Sequence, residues 1–195
     1  MEDETPSMTS HDGLRFVEGL AFLFLFCLTI PAANWLIGHA GTFCQPNGPC
    51  LVPVAPGLLA PSGVLMVGAA FVLRDLVQRR FGVGVGICAI LMGAALSGLL
   101  APPALVFASA TAFLLSETVD FAIYTPLARK RFVAAVVASG FLGLVVDSVV
   151  FLWLAFGSLE FLAGQIVGKA WMIVLSIPLV MWLRKRDQRL GLIAA

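Results

Sequence analysis

The sequence predicts an all-α integral membrane protein with six transmembrane helices and both termini in the cytoplasm. Hydrophobic residues make up 60% and charged residues only 12% of the 195-residue chain, and its mean hydropathy is +1.00. A water-facing surface does not have this composition. Apolar stretches of about the length that crosses a bilayer recur six times, and the segments between them are alternately rich in and free of Lys and Arg.

The six predicted spans cover residues 16–37, 58–75, 83–100, 104–124, 132–156 and 162–183. The first follows a segment that is more acidic than basic, and its apolar stretch is longer than a signal-peptide core, so we expect it to stay in the membrane as a helix. The second leads into a basic segment, the third is rich in glycine, and the fourth begins after Pro103. The fifth follows a basic turn, and the sixth runs into a last basic segment.

The distribution of basic residues sets the predicted orientation. Lys and Arg follow the second, fourth and sixth spans: Arg74, Arg79, Arg80, Arg129, Lys130, Arg131, Arg184, Lys185, Arg186 and Arg189. The opposite loops, residues 38–57, 100–103 and 157–162, have none. By the positive-inside rule both termini are cytoplasmic. We therefore expect one membrane domain over residues 1–195, with a tail at 1–15, a six-helix bundle at 16–183 and a basic tail at 184–195.

The longest predicted outer loop, residues 38–57, contains two cysteines. An oxidising compartment would permit a disulfide between Cys44 and Cys50, and Pro46, Asn47 and Gly48 favour the turn that it needs. Two free thiols are the alternative, and the sequence leaves both open.

Motifs for catalysis or for cofactors are missing from the sequence. His39 near the two loop cysteines is a weak signal for a metal site, because three ligands of uncertain geometry do not define one. The chain has no Gly-x-Ser-x-Gly, no His-Glu-x-x-His and no nucleotide-binding motif. We therefore expect no enzyme activity, no cofactor, no metal and no nucleic-acid partner.

Four ionisable residues interrupt stretches that are otherwise apolar enough for membrane helices: Glu117, Asp120, Asp147 and Lys169. A charge in hydrocarbon costs several kcal/mol and marks a polar cavity or pathway. Glu117 and Asp120 are three residues apart and share a helix face with Tyr124. A rise of about 1.5 Å per residue places Glu117 roughly 20 Å below the outer surface. Asp120 then lies nearer the cytoplasmic boundary, where we expect water to reach it.

Asp147 and Lys169 are predicted at similar depth in the outer half of the bilayer, so the two can form a pair. Gln165 shares a face with Lys169 one turn away, and Asn34 follows Pro31 at the outer end of the first span. A structural salt bridge is one interpretation of the pair. The other is a substrate or proton site that includes these charges, with Asn34 and Gln165 as further polar groups.

The segment SETVDFAIYTPL, the basic turn RKR, SGFLGLVVDSVVFLWLAFGS and GQIVGKAW together resemble the VUT family, the queuosine precursor transporters. The resemblance covers residues 61–184 and is strongest at 116–169. It implies a fold similar to the substrate-binding subunits of energy-coupling-factor transporters. It also assigns roles to matching positions, which are Glu117, Asp120, Asp147, Ser148, Gly164, Gln165 and Lys169. Arg79 departs from the family pattern, which has Glu four residues after the Asp matching Asp75 in what we expect to be an exposed inner loop.

The resemblance implies uptake of a deazaguanine, such as 7-cyano-7-deazaguanine, across the bacterial inner membrane by a secondary carrier or facilitator. The substrate site would comprise Glu117, Asp120, Asp147, Gln165, Lys169 and Asn34. The preferred precursor, the energy source and a homodimer stay open, with proton coupling through Glu117 or Asp147 as one option. Alternatives are a transporter of another planar heterocycle or vitamin, an intramembrane enzyme, and a structural protein with a stabilising charge network.

Overall fold

The computed structural model describes residues 10–46, 48–101 and 105–190, with side chains from Gly13 onward. Parts of the two predicted tails, the turn residue Asn47 and Pro103 lie outside the described residues. The described chain forms six helices: α1 (Ser10–His39), α2 (Val64–Phe81), α3 (Val83–Leu100), α4 (Val106–Ala128), α5 (Phe132–Phe156) and α6 (Leu162–Arg189). Three short strands lie between α1 and α2: β1 (Phe43–Cys44), β2 (Cys50–Ala55) and β3 (Leu58–Pro61).

Five of the helices are long and apolar enough to cross a membrane: α1, α3, α4, α5 and α6. This confirms a multi-pass helical membrane protein. The remaining helix, α2, has 18 residues, which is about 27 Å at helical rise, but four of them are charged: Arg74, Asp75, Arg79 and Arg80. Six membrane spans therefore stay a prediction.

Helix α2 lies inside the bundle, which explains its composition. It packs against α1, α3, α4, α5 and α6. Its residues Phe71 and Leu76 belong to one buried apolar cluster, and Ala70 and Val77 belong to another. Large apolar side chains on the other helices point outward instead, for example Phe24, which is 67% exposed. The bundle thus turns apolar side chains toward the lipid and keeps the charged side chains of α2 in contact with other protein groups.

A small sheet accompanies the predicted helices, which make up most of the described chain. Its strands pair in the order β1-β2-β3 and are antiparallel throughout. Residues 58–61, predicted as the start of the second span, form β3, and α2 begins only at Val64. The turn between β2 and β3 has Gly57 at a φ of +73°, a conformation that glycine adopts without strain. Proline and this turn stop a helix here, so an apolar stretch pairs as strands.

A disulfide links the first two strands of the sheet, and the sequence alone had not decided between this bond and two free thiols. Cys44 and Cys50 are bonded and face each other across β1 and β2. The indole nitrogen of Trp171 on α6 donates a hydrogen bond of 2.9 Å to the carbonyl oxygen of Val54 on β2. The sheet is therefore held against the end of the bundle that lies away from the chain termini.

A network of five charged side chains joins the helices at the end that carries the termini. Arg79 and Arg80 of α2 contact Asp187 of α6 at 2.8 and 2.9 Å, and Arg80 and Arg186 pair with Glu18 of α1. These contacts explain why α6 continues to Arg189 where the sequence predicted a tail from residue 184. They also show that Arg79, predicted in an exposed loop, has a side chain only 8% exposed.

Candidate functional site

A cavity of about 100 Å³ opens in the half of the bundle near the sheet. A space of roughly 10–15 Å³ on this measure holds one water, so the cavity has room for several waters or a small planar molecule. The lining side chains come from all six helices and from β3: Thr29, Ile30, Ala33, Asn34, Ile37, Pro61, Gly63, Val64, Val67, Ala70, Ser97, Leu105, Ser109, Phe113, Asp147, Phe151, Gln165 and Lys169. Four residues of the predicted substrate site are among them. These are Asn34, Asp147, Gln165 and Lys169.

Lys169 is the centre of the polar wall of this cavity. Its ammonium nitrogen lies 2.5 Å from Asp147 Oδ2, 2.9 Å from Ser148 Oγ and 2.6 Å from Gln165 Oε1. An ammonium group has three donors, and these three contacts use them all. The predicted meeting of Asp147 and Lys169 is therefore present, and Gln165 joins it from one turn earlier on α6.

Close packing of α6 against α2 and the sheet sets the position of Lys169. A Cβ on Gly68 of α2 would lie 2.7 Å from the backbone oxygen of Lys169, and one on Gly168 would lie 2.8 Å from Val64. Only glycine permits these approaches. Glycine at these two positions thus brings the lysine to the cavity wall.

Acceptor and donor groups remain available on this wall. Asp147 Oδ2 accepts from Lys169, and its Oδ1 receives only a 3.5 Å contact from Ser116, whereas a carboxylate has about four lone-pair positions. The Asp147 side chain is 10% exposed, against 2% for Lys169, so the carboxylate faces the cavity. Gln165 offers its oxygen to Lys169, which leaves its amide nitrogen as a donor. Asn34 donates to the carbonyl oxygen of Ile30 at 3.0 Å and has its own oxygen as an acceptor.

Two phenylalanines that the sequence analysis did not single out also line the cavity. Phe113 of α4 packs against Phe26 with ring centroids 6.1 Å apart, and Phe151 of α5 lines the same space. Both are one turn from an ionisable residue of the predicted site, since Phe113 precedes Glu117 by four and Phe151 follows Asp147 by four. That spacing is the sequence signal that could have found them.

Glu117 and Asp120 do not line the cavity. They lie deeper in the bundle, around the guanidinium group of Arg74. Arg74 Nε contacts Glu117 Oε2 at 2.8 Å, Nη2 lies 2.8 Å from Asp120 Oδ2, and Nη1 lies 2.9 Å from Asp75 Oδ1. We call these four residues the Arg74 cluster.

The Arg74 cluster corrects two expectations. Asp120 was expected near water and is fully buried, and Arg74, counted among the basic residues that follow the second span, is 0% exposed, as is its neighbour Asp75. The reason is that α2 continues to Phe81 inside the bundle. Its charged residues thereby meet the carboxylates of α4, which would otherwise be unpaired in a low-dielectric interior.

Further polar groups surround the cluster. Tyr124 donates to the backbone oxygen of Asp75 at 3.2 Å, and Ser139 of α5 donates to Asp75 Oδ2 at 3.4 Å. Arg74 Nη1 also donates to Gln78 Oε1 at 3.1 Å. Within residues 10–46, 48–101 and 105–190, no group of three His, Cys, Asp or Glu residues is placed to hold a metal ion.

Comparison with known families identifies one match. Residues 95–183 match the model of a family described as "Putative vitamin uptake transporter". The matched segment covers α4, α5 and most of α6, and so includes Glu117, Asp120, Asp147, Gln165 and Lys169. It confirms the family resemblance predicted from the sequence and indicates a transporter of the vitamin-uptake type. No curated protein and no solved structure matches the chain, so the expected similarity to energy-coupling-factor subunits has no support from these comparisons.

Proposed function

We propose that this chain, whose residues 95–183 match a vitamin uptake transporter family, carries a queuosine precursor across the bacterial inner membrane. The substrate is 7-cyano-7-deazaguanine or a related deazaguanine, and the chain acts as a secondary carrier or facilitator. The observation that supports this most directly is the cavity in which Asp147, Gln165 and Asn34 face an otherwise largely apolar space. Binding sites for small planar molecules have this composition.

The polar groups suit the edge of a guanine-like base. A ring N–H and an exocyclic amine lie side by side on that edge, and a carboxylate accepts both in a bidentate pair. In our proposal the accepting carboxylate is Asp147, whose Oδ1 has only a long contact within the protein. The amide nitrogen of Gln165 donates to the carbonyl oxygen of the base, and Asn34 serves a remaining ring nitrogen.

The apolar groups suit the faces of the same base. Phe113 and Phe151 approach the cavity from α4 and α5, and aromatic rings stack on planar heterocycles in offset geometry. Lys169 is not a direct ligand in this scheme, since its three donors are used within the protein. It instead fixes the orientation of Asp147 and Gln165. Glu117 and Asp120 belong to the same site only through the Arg74 cluster behind it.

A second substrate class is another small planar heterocycle or a vitamin. The description of the matching family favours it, and the apolar walls would accept any flat ring of similar size. Heterocycles without a guanine-like edge differ in their need for a carboxylate, because they lack the two adjacent N–H donors of that edge. Competition for uptake by unlabelled guanine-like and vitamin-like compounds separates them.

We also propose the orientation that the charges predict, with both termini in the cytoplasm. Transport suits the site better than catalysis does, because Asp147 and Lys169 neutralise each other and neither is left as a free base. The apolar side chains on the outer faces of the bundle are compatible with a homodimer.

The test is uptake of labelled 7-cyano-7-deazaguanine into bacterial cells that cannot synthesise it, with and without this chain. We expect accumulation only with the chain, and the loss of it in Asp147→Asn, which keeps the shape but cannot accept both N–H groups. Glu160→Gln is the matched control, since Glu160 is an exposed carboxylate in the connection before α6. Uptake no greater than in cells without the chain, at normal membrane levels of the protein, would refute the proposal.

A further inference from the structure

The Arg74 cluster has more negative than positive charge. One guanidinium group faces three carboxylates, from Asp75, Glu117 and Asp120, and all four side chains are at most 1% exposed. Beyond it, on the cavity wall, Asp147 and Lys169 balance each other. Fully ionised, the cluster would therefore hold two uncompensated negative charges inside a membrane domain. Each would cost several kcal/mol.

The cluster also has a vacant acceptor. Asp120 is fully buried, and within the described part of the chain its Oδ1 has no hydrogen-bond partner. Buried polar atoms without partners are rare and call for an explanation. A proton on one of the carboxylates removes a negative charge and turns an acceptor into a donor. A proton on Asp120 would therefore remove one of the uncompensated charges at the oxygen that has no donor.

The position of the cluster connects it to both ends of the bundle. On the sheet side, Ser116 precedes Glu117 and contacts Asp147 at the cavity wall. On the side of the termini, Arg74 donates to Gln78, which donates to Thr125 at 3.0 Å. Gln78 and Thr125 line a second cavity of about 40 Å³ at the α2–α3 and α4–α5 turns. The cluster thus lies between two cavities that are located toward opposite ends.

We infer that the Arg74 cluster is a proton-binding site that couples substrate movement to a proton gradient. The inference rests on the proposed transport function and names its driving ion. A proton from water in the main cavity bonds to a carboxylate oxygen of the cluster and neutralises it. Its release to water in the smaller cavity restores the carboxylate, so no electron transfer or further reactant is involved.

Coupling follows from the charges that surround the cluster. The facing groups are Asp75 and Arg74 on α2, Glu117, Asp120 and Tyr124 on α4, Ser139 and Asp147 on α5, and Lys169 on α6. Protonation of the cluster lowers the repulsion between it and the Asp147 carboxylate, which is the proposed substrate ligand. By linkage, a substrate that binds more tightly to one protonation state changes proton affinity by the same factor.

The first measurement is the infrared spectrum of the purified protein in lipid at neutral pH. We expect a carbonyl stretching band of protonated carboxylic acid in the wild type, which an ionised carboxylate does not show. Asp120→Asn and Glu117→Gln should each change this band, and Glu160→Gln should leave it unchanged. The absence of the band from the wild type, for which folding is not in question, would overturn the inference.

The second measurement is uptake of labelled 7-cyano-7-deazaguanine into proteoliposomes with the membrane potential clamped at zero. With one proton carried per substrate, each unit of pH difference, acid outside, should raise accumulation about tenfold. A protonophore should abolish this gain, and Asp120→Asn should keep substrate exchange but lose the response to pH. Accumulation driven by a sodium gradient, or indifferent to pH, would overturn the coupling. If no precursor enters under any gradient, the proposed function fails, and the infrared band alone decides the proton site.

Discussion

Removal of the Lys169 charge is the most informative single perturbation of this protein. Lys169→Met keeps the length of the side chain but removes the three contacts to Asp147, Ser148 and Gln165. Breaking a buried ion pair costs about 3–5 kcal/mol, because the remaining charge has no partner. The Asp147 side chain is 10% exposed to the cavity, so water can solvate it in part. We therefore expect a loss near the lower end, about 3 kcal/mol, which is more than a hundredfold in the folded-to-unfolded ratio.

The double substitution Lys169→Met with Asp147→Leu should be milder than Lys169→Met alone. No charge is then left in the wall, and replacing a buried pair by apolar groups is often neutral or stabilising. Ser148 keeps its hydrogen bond to the Leu144 carbonyl oxygen, so only Gln165 loses a partner, at about 1 kcal/mol. We expect the double variant to be about 1–2 kcal/mol less stable than the wild type, and not to transport, because Asp147 is also the proposed ligand.

The assay is reversible unfolding in mixed bicelles with increasing denaturing detergent, together with uptake by the same variants. Lys185→Met is the matched control, because Lys185 is exposed on the same helix and should change stability by less than about 0.5 kcal/mol. If the loss of unfolding free energy in the double variant equals the sum of the losses in the two single variants, Asp147 and Lys169 do not form a stabilising pair. Recovered transport in the double variant would make both residues structural only.

Three further predictions concern topology, the buried cluster and the disulfide. In a background in which the free cysteines Cys27 and Cys88 are replaced, a cysteine at Ser158 should react with an impermeant reagent from outside and one at Lys130 should not; the reverse pattern would refute cytoplasmic termini. Glu117→Gln should abolish precursor uptake at matched membrane levels, because the amide cannot replace the charged partner of the guanidinium group; wild-type uptake would remove this residue from the mechanism. Replacing Cys44 and Cys50 by serine should lower stability by about 2 kcal/mol, as expected for a short closed loop, and equal detergent midpoints would contradict a structural role.

The sequence was most informative about the apolar helices. The predicted bounds of the third and fifth spans, 83–100 and 132–156, coincide with α3 and α5. Glycine, proline and basic turns flank both, so composition and local turn signals agree on where these helices begin and end. The predicted meeting of Asp147 and Lys169 is also present, because the rise per residue gives each residue's height along two neighbouring antiparallel helices.

The sequence was least informative about α2. A buried Arg74 and an exposed loop arginine have the same local sequence signal, since both follow an apolar run. Only the packing of α2 among the other helices turns Arg74 inward and gives it three carboxylate partners. The same holds for residues 50–61, which are apolar enough for a span but pair as strands because proline and Gly57 interrupt the helix and the disulfide closes the first turn.

By itself, the sequence determined that the chain is a helical membrane protein, because hydropathy depends on composition along the chain. It also identified Glu117, Asp120, Asp147 and Lys169 as ionisable residues on apolar helices. Only the tertiary structure decided how those residues divide. Asp147, Gln165, Lys169 and Asn34 reach one cavity, whereas Glu117 and Asp120 meet Arg74 behind it. That division depends on which faces of separate helices meet, and contacts between residues far apart in sequence, such as Arg74 and Glu117, leave no local pattern to read.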